Sequence, residues 1–294
     1  MSEQNGNGIG EGGGGGAILE VARADGPGRL RTLRRVRSAW LGNVRDVYVL
    51  LPASYDAAEA PRRYPVVYMH DGQNLYLDDL SYSGAWHVER AADRAAALGG
   101  EVIVVGVPNA GERRLDEYGP FHEPSVRMGG HANAYLAFLL ESVKPLVDRR
   151  FRTRPEPEHT HVAGSSMGGL VSLYAFFNAP HKFGGCGALS PALWFGQRAI
   201  FDWLERAPRV HGRVYIDVGT AEGKSTLHDA RRLRDLLVEK GYVPGHDLRY
   251  VEEKGAGHEE RAWGRRIEEA LPFLLGLADP APADAEPAGT TTTD

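Results

Sequence analysis

Short runs of apolar, often β-branched residues alternate along this chain with longer stretches whose apolar positions recur every three to four residues. Two runs at 30–37 and 43–51, joined by Leu41-Gly42-Asn43, predict an antiparallel hairpin. VVYMH (66–70), VIVVGV (102–107), HTHVAG (159–164), GGCGALS (184–190), RVYIDVG (213–219) and DLRYVEE (247–253) predict six further strands. Helical spacing covers 86–98, 131–149, 167–178, 226–240 and 259–275. Nearly continuous apolar strands with helices in the gaps predict an α/β protein. Its central sheet would be mostly parallel, with an N-terminal antiparallel hairpin and helices on both faces. Such sheets carry their chemistry at the carboxyl ends of the strands, so motifs gain weight there.

Composition bounds the domain count. The chain has 294 residues, 42% hydrophobic and 25% charged, which suits one large globular domain. Eight of the 37 glycines lie in residues 1–16, and the Pro/Ala/Thr-rich residues 279–294 are equally poor in core-forming side chains. Both ends are expected to be disordered tails around a catalytic domain of about 17–278, with no internal linker or repeat.

The formal charge of −5 belongs to those tails. They hold six of the 39 acidic residues and none of the 34 basic ones, so the body carries 34 basic against 33 acidic side chains. That balance argues against a nucleic-acid binder. The single cysteine, Cys186, reads as a buried strand residue. With no signal-like start and no apolar run long enough to span a bilayer, the expectation is a cytoplasmic protein without a membrane partner.

Gly164-Ser165-Ser166-Met167-Gly168 fits G-x-S-x-G, a pattern that chance alone supplies roughly 0.2 times in a chain this long. Here it joins a predicted strand to a predicted helix, the context of a nucleophile elbow, and so points to Ser166 as a nucleophile. Ser165 is the weaker candidate because Ala163 stands where its preceding glycine would be. A serine nucleophile needs a base, and the base needs an orienting acid. His258 follows the last strand in a glycine-containing loop, whereas His181, His211, His228 and His246 are worse placed. For the acid, Glu222 lies in the loop directly after RVYIDVG, with Asp217 inside that strand as competitor. Two N–H donors complete an oxyanion hole, from Met167 after the nucleophile and from Gln73 in the DGQN loop after VVYMH.

Several other features carry less. GTAEGKST is one residue short of a phosphate-binding loop, and His159 with His161 offers two metal ligands where three or four are needed. Arg29 to Arg37 reads as a charged edge strand that blocks edge-to-edge pairing. Tyr118, Phe121, Trp194 and Phe195 fall in loops after strands and would either line an acyl or aryl pocket or pack those loops.

Seven blocks in order, YPVVYMHDGQNLY, SGAWHVE, VIVVGVPN with EYGPF, GSSMGGLVSLYAFF, GALSPALW, VGTAEG and GHEERAW, together resemble an esterase family of the α/β-hydrolase superfamily. That family includes enterochelin esterase-like enzymes, feruloyl and acetylxylan esterases, esterase D and the mycobacterial mycolyltransferases. The resemblance runs from about 30 to 275. It implies an α/β-hydrolase fold and a serine carboxylic ester hydrolase with Ser166 as nucleophile, His258 as base and Glu222 at the position of the acid. Gln73 and Met167 would be the oxyanion donors and Trp263 a packing residue of the last helix; apart from the resemblance, Trp86, Tyr118 and Trp194 are the expected substrate contacts. The implied partner is a small-molecule ester of aryl, short-acyl or siderophore type, with no cofactor and no metal. The same set would serve acyl transfer to an alcohol, and a non-catalytic binding role is the remaining alternative.

Overall fold

The computed structural model describes residues 18–21, 29–57, 62–81 and 83–277. The tails expected at 1–16 and 279–294 lie outside the described residues. In chain order the strands are β1 (Ile18–Val21), β2 (Arg29–Arg37), β3 (Val44–Leu51), β4 (Val66–His70), β5 (Ile103–Val107), β6 (His122–Glu123), β7 (Met128–Gly129), β8 (Thr160–Ser165), β9 (Gly185–Leu189), β10 (Arg213–Gly219) and β11 (Leu248–Glu253). The helices are α1 (Glu89–Ala97), α2 (Arg114–Tyr118), α3 (Ala132–Ala137), α4 (Lys144–Arg150), α5 (Met167–Asn178), α6 (Ala199–Arg206), α7 (Lys224–Glu239) and α8 (Glu260–Leu274).

Nine strands form one sheet in the order β1-β2-β3-β5-β4-β8-β9-β10-β11, antiparallel from β1 to β5 and parallel from there on. Period-2 alternation divides its apolar side chains between two cores. Val66, Tyr68, Ile103, Val105, Val214 and Ile216 face one, and Val67, Met69, Val104 and Tyr215 face the other. Each such burial contributes about 1.5–3 kcal/mol, and a one-residue slip would exchange the two sets, so register is held firmly. The second core is closed by α1 and α8 through Val88, Ala91, Ile267 and Leu271. The first is closed by α3 to α7, among which α5 is buried at every position except its last, Asn178. A helix that is apolar all round fits only where neighbours surround it.

The predicted hairpin forms, with Ser38 N–H donating to Asn43 O at 2.9 Å across its turn. The arginine-rich strand differs from expectation. β2 is not an edge, because the four-residue β1 pairs along its outer side. Four residues after a Gly-rich start gave too little periodicity to be read as a strand. The charged run is accommodated by a bulge between Leu33 and Val36, where Asp46 accepts from Arg35 N–H at 2.8 Å and from Arg34. The helix predicted over 131–149 is continuous but passes through a π-helical turn at Phe138–Val143. Pro145 lacks the N–H that would serve the Glu141 carbonyl, and the wider turn absorbs that loss. Two short helices, α2 and α6, stand in what the sequence pattern left as loops.

Among the described residues, no helix is long and apolar enough to cross a membrane. β4 lies between β5 and β8, so the chain leaves its carboxyl end on one side of the sheet and that of β8 on the other. The crevice between the two is where a ligand site is expected in an open parallel sheet.

Two histidines are buried in the neutral state, His161 on β8 and His70 at the end of β4. Burial lowers His161 to about 3 and His70 to about 4. Each is free to charge near 6.5 once unfolded, so unfolding takes up protons below that pH and stability falls as pH drops from about 6.5 toward 4. Each histidine contributes a loss approaching about 1.4 kcal/mol per pH unit to denaturant titrations across this window, opposed by the Asp217 carboxyl, which burial raises to about 7. His161→Leu should lower the pH dependence by about 1.4 kcal/mol per pH unit in this window. A slope unchanged by His161→Leu would show that His161 is not buried neutral.

Candidate active site

At the carboxyl end of β8 the chain turns sharply into α5, with Ser166 between them at φ 55°, ψ −119°. A non-glycine residue in this region holds on the order of 1–3 kcal/mol of strain, which the surrounding packing must offset. The glycines make the turn possible. A Cβ on Gly164 would stand 2.9 Å from the Gly168 carbonyl carbon, closer than real side chains approach backbone. Ser166 N–H donates to Leu189 O at 2.9 Å, and its own carbonyl accepts from Leu170 and Ala192 N–H, so both sides of the turn are pinned.

The hydroxyl presented there meets His258. Ser166 Oγ lies 3.0 Å from His258 Nε2, and His258 Nδ1 lies 2.7 Å from Glu222 Oε2. The imidazole comes from the loop between β11 and α8 and is partly exposed, while the Glu222 side chain is fully shielded. The other Glu222 oxygen, Oε1, accepts from Ser190 Oγ at 2.6 Å and from Gly219 N–H at 2.7 Å. Burial pushes the Glu222 carboxyl up, but donors at His258, Ser190 and Gly219 outweigh it and hold the group below its ordinary value. Such a carboxylate stays ionised and accepts the Nδ1 proton, leaving Nε2 as the basic nitrogen toward the serine.

Asp217 is placed differently. Its Oδ1 accepts from Ser190 N–H at 3.0 Å and lies 3.0 Å from Arg266 Nη1, an ion-pair distance without hydrogen-bond alignment. Burial raises this carboxyl to about 7 against the opposing pull of Arg266. Arg266, itself buried, also lies 3.4 Å from Glu222 Oε1 and 3.3 Å from Glu253 Oε2. One guanidinium is therefore shared by three carboxylates under the His258 loop.

The wall opposite Ser166 comes from the loops after β4 and β5. Asp71 takes a left-handed conformation at φ 56°, and Gly72 follows so close to β5 that a Cβ would stand 2.4 Å from the Gly106 carbonyl carbon. Arg114 grips both Asp71 oxygens, Nε to Oδ1 at 2.7 Å and Nη2 to Oδ2 at 2.8 Å. Asn109 adds two bonds, Nδ2–H to Asp71 Oδ1 at 2.7 Å and backbone N–H to Gln73 Oε1 at 3.2 Å. From below, the Tyr118 hydroxyl accepts from Asp71 N–H at 3.1 Å. Gln73 lies on this braced loop, and Met167 opens α5, whose first-turn N–H groups have no partner within the helix.

Between the walls is an open cleft of about 550 Å³, lined by Gln73, Asn74, Asn109, Arg114, Ser166 and Trp263 among others. It holds the expected Ser166, His258 and Gln73. None of the three expected aromatic contacts lies on it. Trp86 is buried against Trp263 with ring centroids 5.9 Å apart, Tyr118 is buried beneath Asp71, and Trp194 is half exposed away from the cleft wall. Sequence pattern could not separate aromatics that face a crevice from those that brace the loops around it. It also missed Asp71, Asn109, Ser190 and Arg266, whose signal would have been polar residues just past strand ends or, for Arg266, a cation at a core position of a helix.

Residues 38–274 match the model of the family described as "Putative esterase". The chain is 27% identical over 245 residues to the uncharacterized protein YbbA of Bacillus subtilis, spanning 79% of this chain and 93% of that one. It is 34% identical over 205 residues to the siderophore triacetylfusarinine C esterase of Aspergillus fumigatus, spanning 67% of this chain and 62% of that one. Among solved structures it is similar to an IroE-like serine hydrolase from Shewanella oneidensis. The TM-score is 0.66 at 18% identity, covering 84% and 80% of the two chains, a likeness of fold.

The braced loop yields a direct test. Gly72→Ala should drive the loop off β5, lowering thermal stability by about 1–3 kcal/mol and displacing Gln73 from the cleft. A variant with wild-type melting and activity would show that the close approach to Gly106 is not needed.

Proposed function

The chain belongs to this esterase family and has the α/β-hydrolase fold, from which we infer that it is a carboxylic ester hydrolase. From that premise we propose that Ser166, His258 and Glu222 are its nucleophile, base and acid, and that its substrate is a siderophore-type ester. The observation that carries the catalytic assignment is the unbroken line from Ser166 Oγ through His258 to Glu222 Oε2, at 3.0 and 2.7 Å.

In this mechanism His258 Nε2 takes the Ser166 proton as Oγ attacks the ester carbonyl, forming the C–O bond of a tetrahedral intermediate. The Met167 and Gln73 N–H groups hold the oxyanion. Glu222 keeps Nδ1 protonated and stabilises the imidazolium. As the intermediate collapses, the bond to the leaving alkoxide breaks and His258 gives it the proton. Water, deprotonated by the same nitrogen, then releases the acid and restores Ser166.

The substrate proposal rests on two supports. The fungal relative that is 34% identical is a siderophore esterase by name. The cleft walls carry amides, hydroxyls, carboxylates and one arginine beside Trp263, groups that can hydrogen-bond the amide and hydroxyl groups of a polar ester.

A fluorophosphonate probe followed by peptide mapping should label Ser166, and label on Ser165, or none at all, would remove the assignment. Glu222→Gln should reduce turnover by roughly 10⁴-fold, while Asp217→Asn should lose stability before turnover. The reverse pattern would move the acid to Asp217. Across triacetylfusarinine C, enterobactin, methyl ferulate and p-nitrophenyl acetate, the wild type corrected for Ser166→Ala should turn over a siderophore ester with the highest kcat/KM. Preference for methyl ferulate would overturn the substrate proposal and leave the triad standing.

A further inference from the structure

Trp263 is the fourth residue of α8, five residues beyond His258, and touches His258 directly and Glu222 through Ser190. Its ring stands edge to face against the His258 imidazole, with centroids 4.8 Å apart and planes at 87°. Its Nε1–H donates to Ser190 Oγ at 3.0 Å. Ser190 Oγ also accepts from Arg266 Nη2 at 3.1 Å. A hydroxyl has one proton and two lone pairs. With both lone pairs taken, its proton is left for Glu222 Oε1, 2.6 Å away. The circuit closes through Glu222 Oε2 and His258 Nδ1.

We infer that Trp263 is a positioning residue for the His258–Glu222 pair: its N–H turns the Ser190 hydroxyl toward Glu222, and its ring restricts the imidazole that Glu222 orients. The inference rests on the triad proposed above. Filling the core beneath α1, where Trp263 also meets Trp86, requires an aromatic ring but not an indole N–H. The two roles therefore separate on the N–H.

Trp263→Phe keeps an aromatic ring and deletes the donor; Ser190→Ala deletes the hydroxyl it acts through. With p-nitrophenyl acetate as substrate, each single variant should lose about tenfold in kcat while KM stays within about twofold. The double variant should be no slower than Ser190→Ala, because both changes break one chain of contacts. Wild-type kcat in Trp263→Phe, or losses that multiply in the double variant, would overturn the inference. Should Trp263→Phe fail to fold by thermal melting, Ser190→Ala decides, since unchanged kcat there removes the link to Glu222. Ser166→Ala is assayed alongside. If it retains turnover, the triad itself falls. If it is inactive while Trp263→Phe and Ser190→Ala turn over like wild type, only the positioning role falls.

Discussion

The left-handed turn at Ser166 is the constraint on which the rest of this molecule depends. An L-residue held at φ 55° between a buried strand and a buried helix persists only if its surroundings allow no relaxed alternative. The surroundings comply at every side. Gly164 leaves room for the Gly168 backbone, β9 supplies the Leu189 carbonyl that fixes Ser166 N–H, and α5 is locked by packing along nearly its whole length. The outcome is a hydroxyl standing at the switch point of the sheet, at the N-terminus of a helix where developing negative charge is favoured.

Around that turn the protein concentrates charge in places where water cannot reach. Asp217 and Glu222 are fully shielded, and Arg266 is almost so. Taking such groups out of water is unfavourable unless they are paired and hydrogen-bonded. Here the division of labour is legible in the contacts. Asp217 takes Ser190 N–H and faces Arg266, whereas Glu222 is saturated with donors on Oε1 and keeps Oε2 for His258. Burial alone would raise both carboxyls, and it does raise Asp217; the donor count separates Glu222 from it. The opposite wall follows the same logic, with Asp71 held by Arg114, Asn109 and Tyr118 so that the loop bearing Gln73 has little freedom.

Much of the fold was legible because its signals are local. The eight strands from β2 to β11 that the pattern predicted all belong to the main sheet, and β4, β5, β8 and β9 at its centre are buried at every position. The elements that escaped were short or interrupted. β1 has four residues, α2 five, and the long central helix changes hydrogen-bond register where Pro145 withholds a donor. Few residues carry little periodicity, and β1 is stabilised by the strand it pairs with rather than by its own sequence.

For the candidate site, the G-x-S-x-G elbow and chain order pointed to Ser166, His258 and, with Asp217 as competitor, Glu222, because each loop follows a strand end in a sheet whose carboxyl edge gathers such loops together. Gly164 and Gly168 were legible as well, since a turn that tight excludes side chains. What only the tertiary structure decided is which buried carboxylate reaches the imidazole, which aromatics face the cleft and which brace it, and that Ser190 and Arg266 converge on Glu222, with Trp263 bonded to Ser190. These depend on side chains 32 to 92 residues apart arriving within hydrogen-bond distance. A one-dimensional pattern records where a strand ends; the direction in which a side chain leaves it is set by packing against partners distant in sequence.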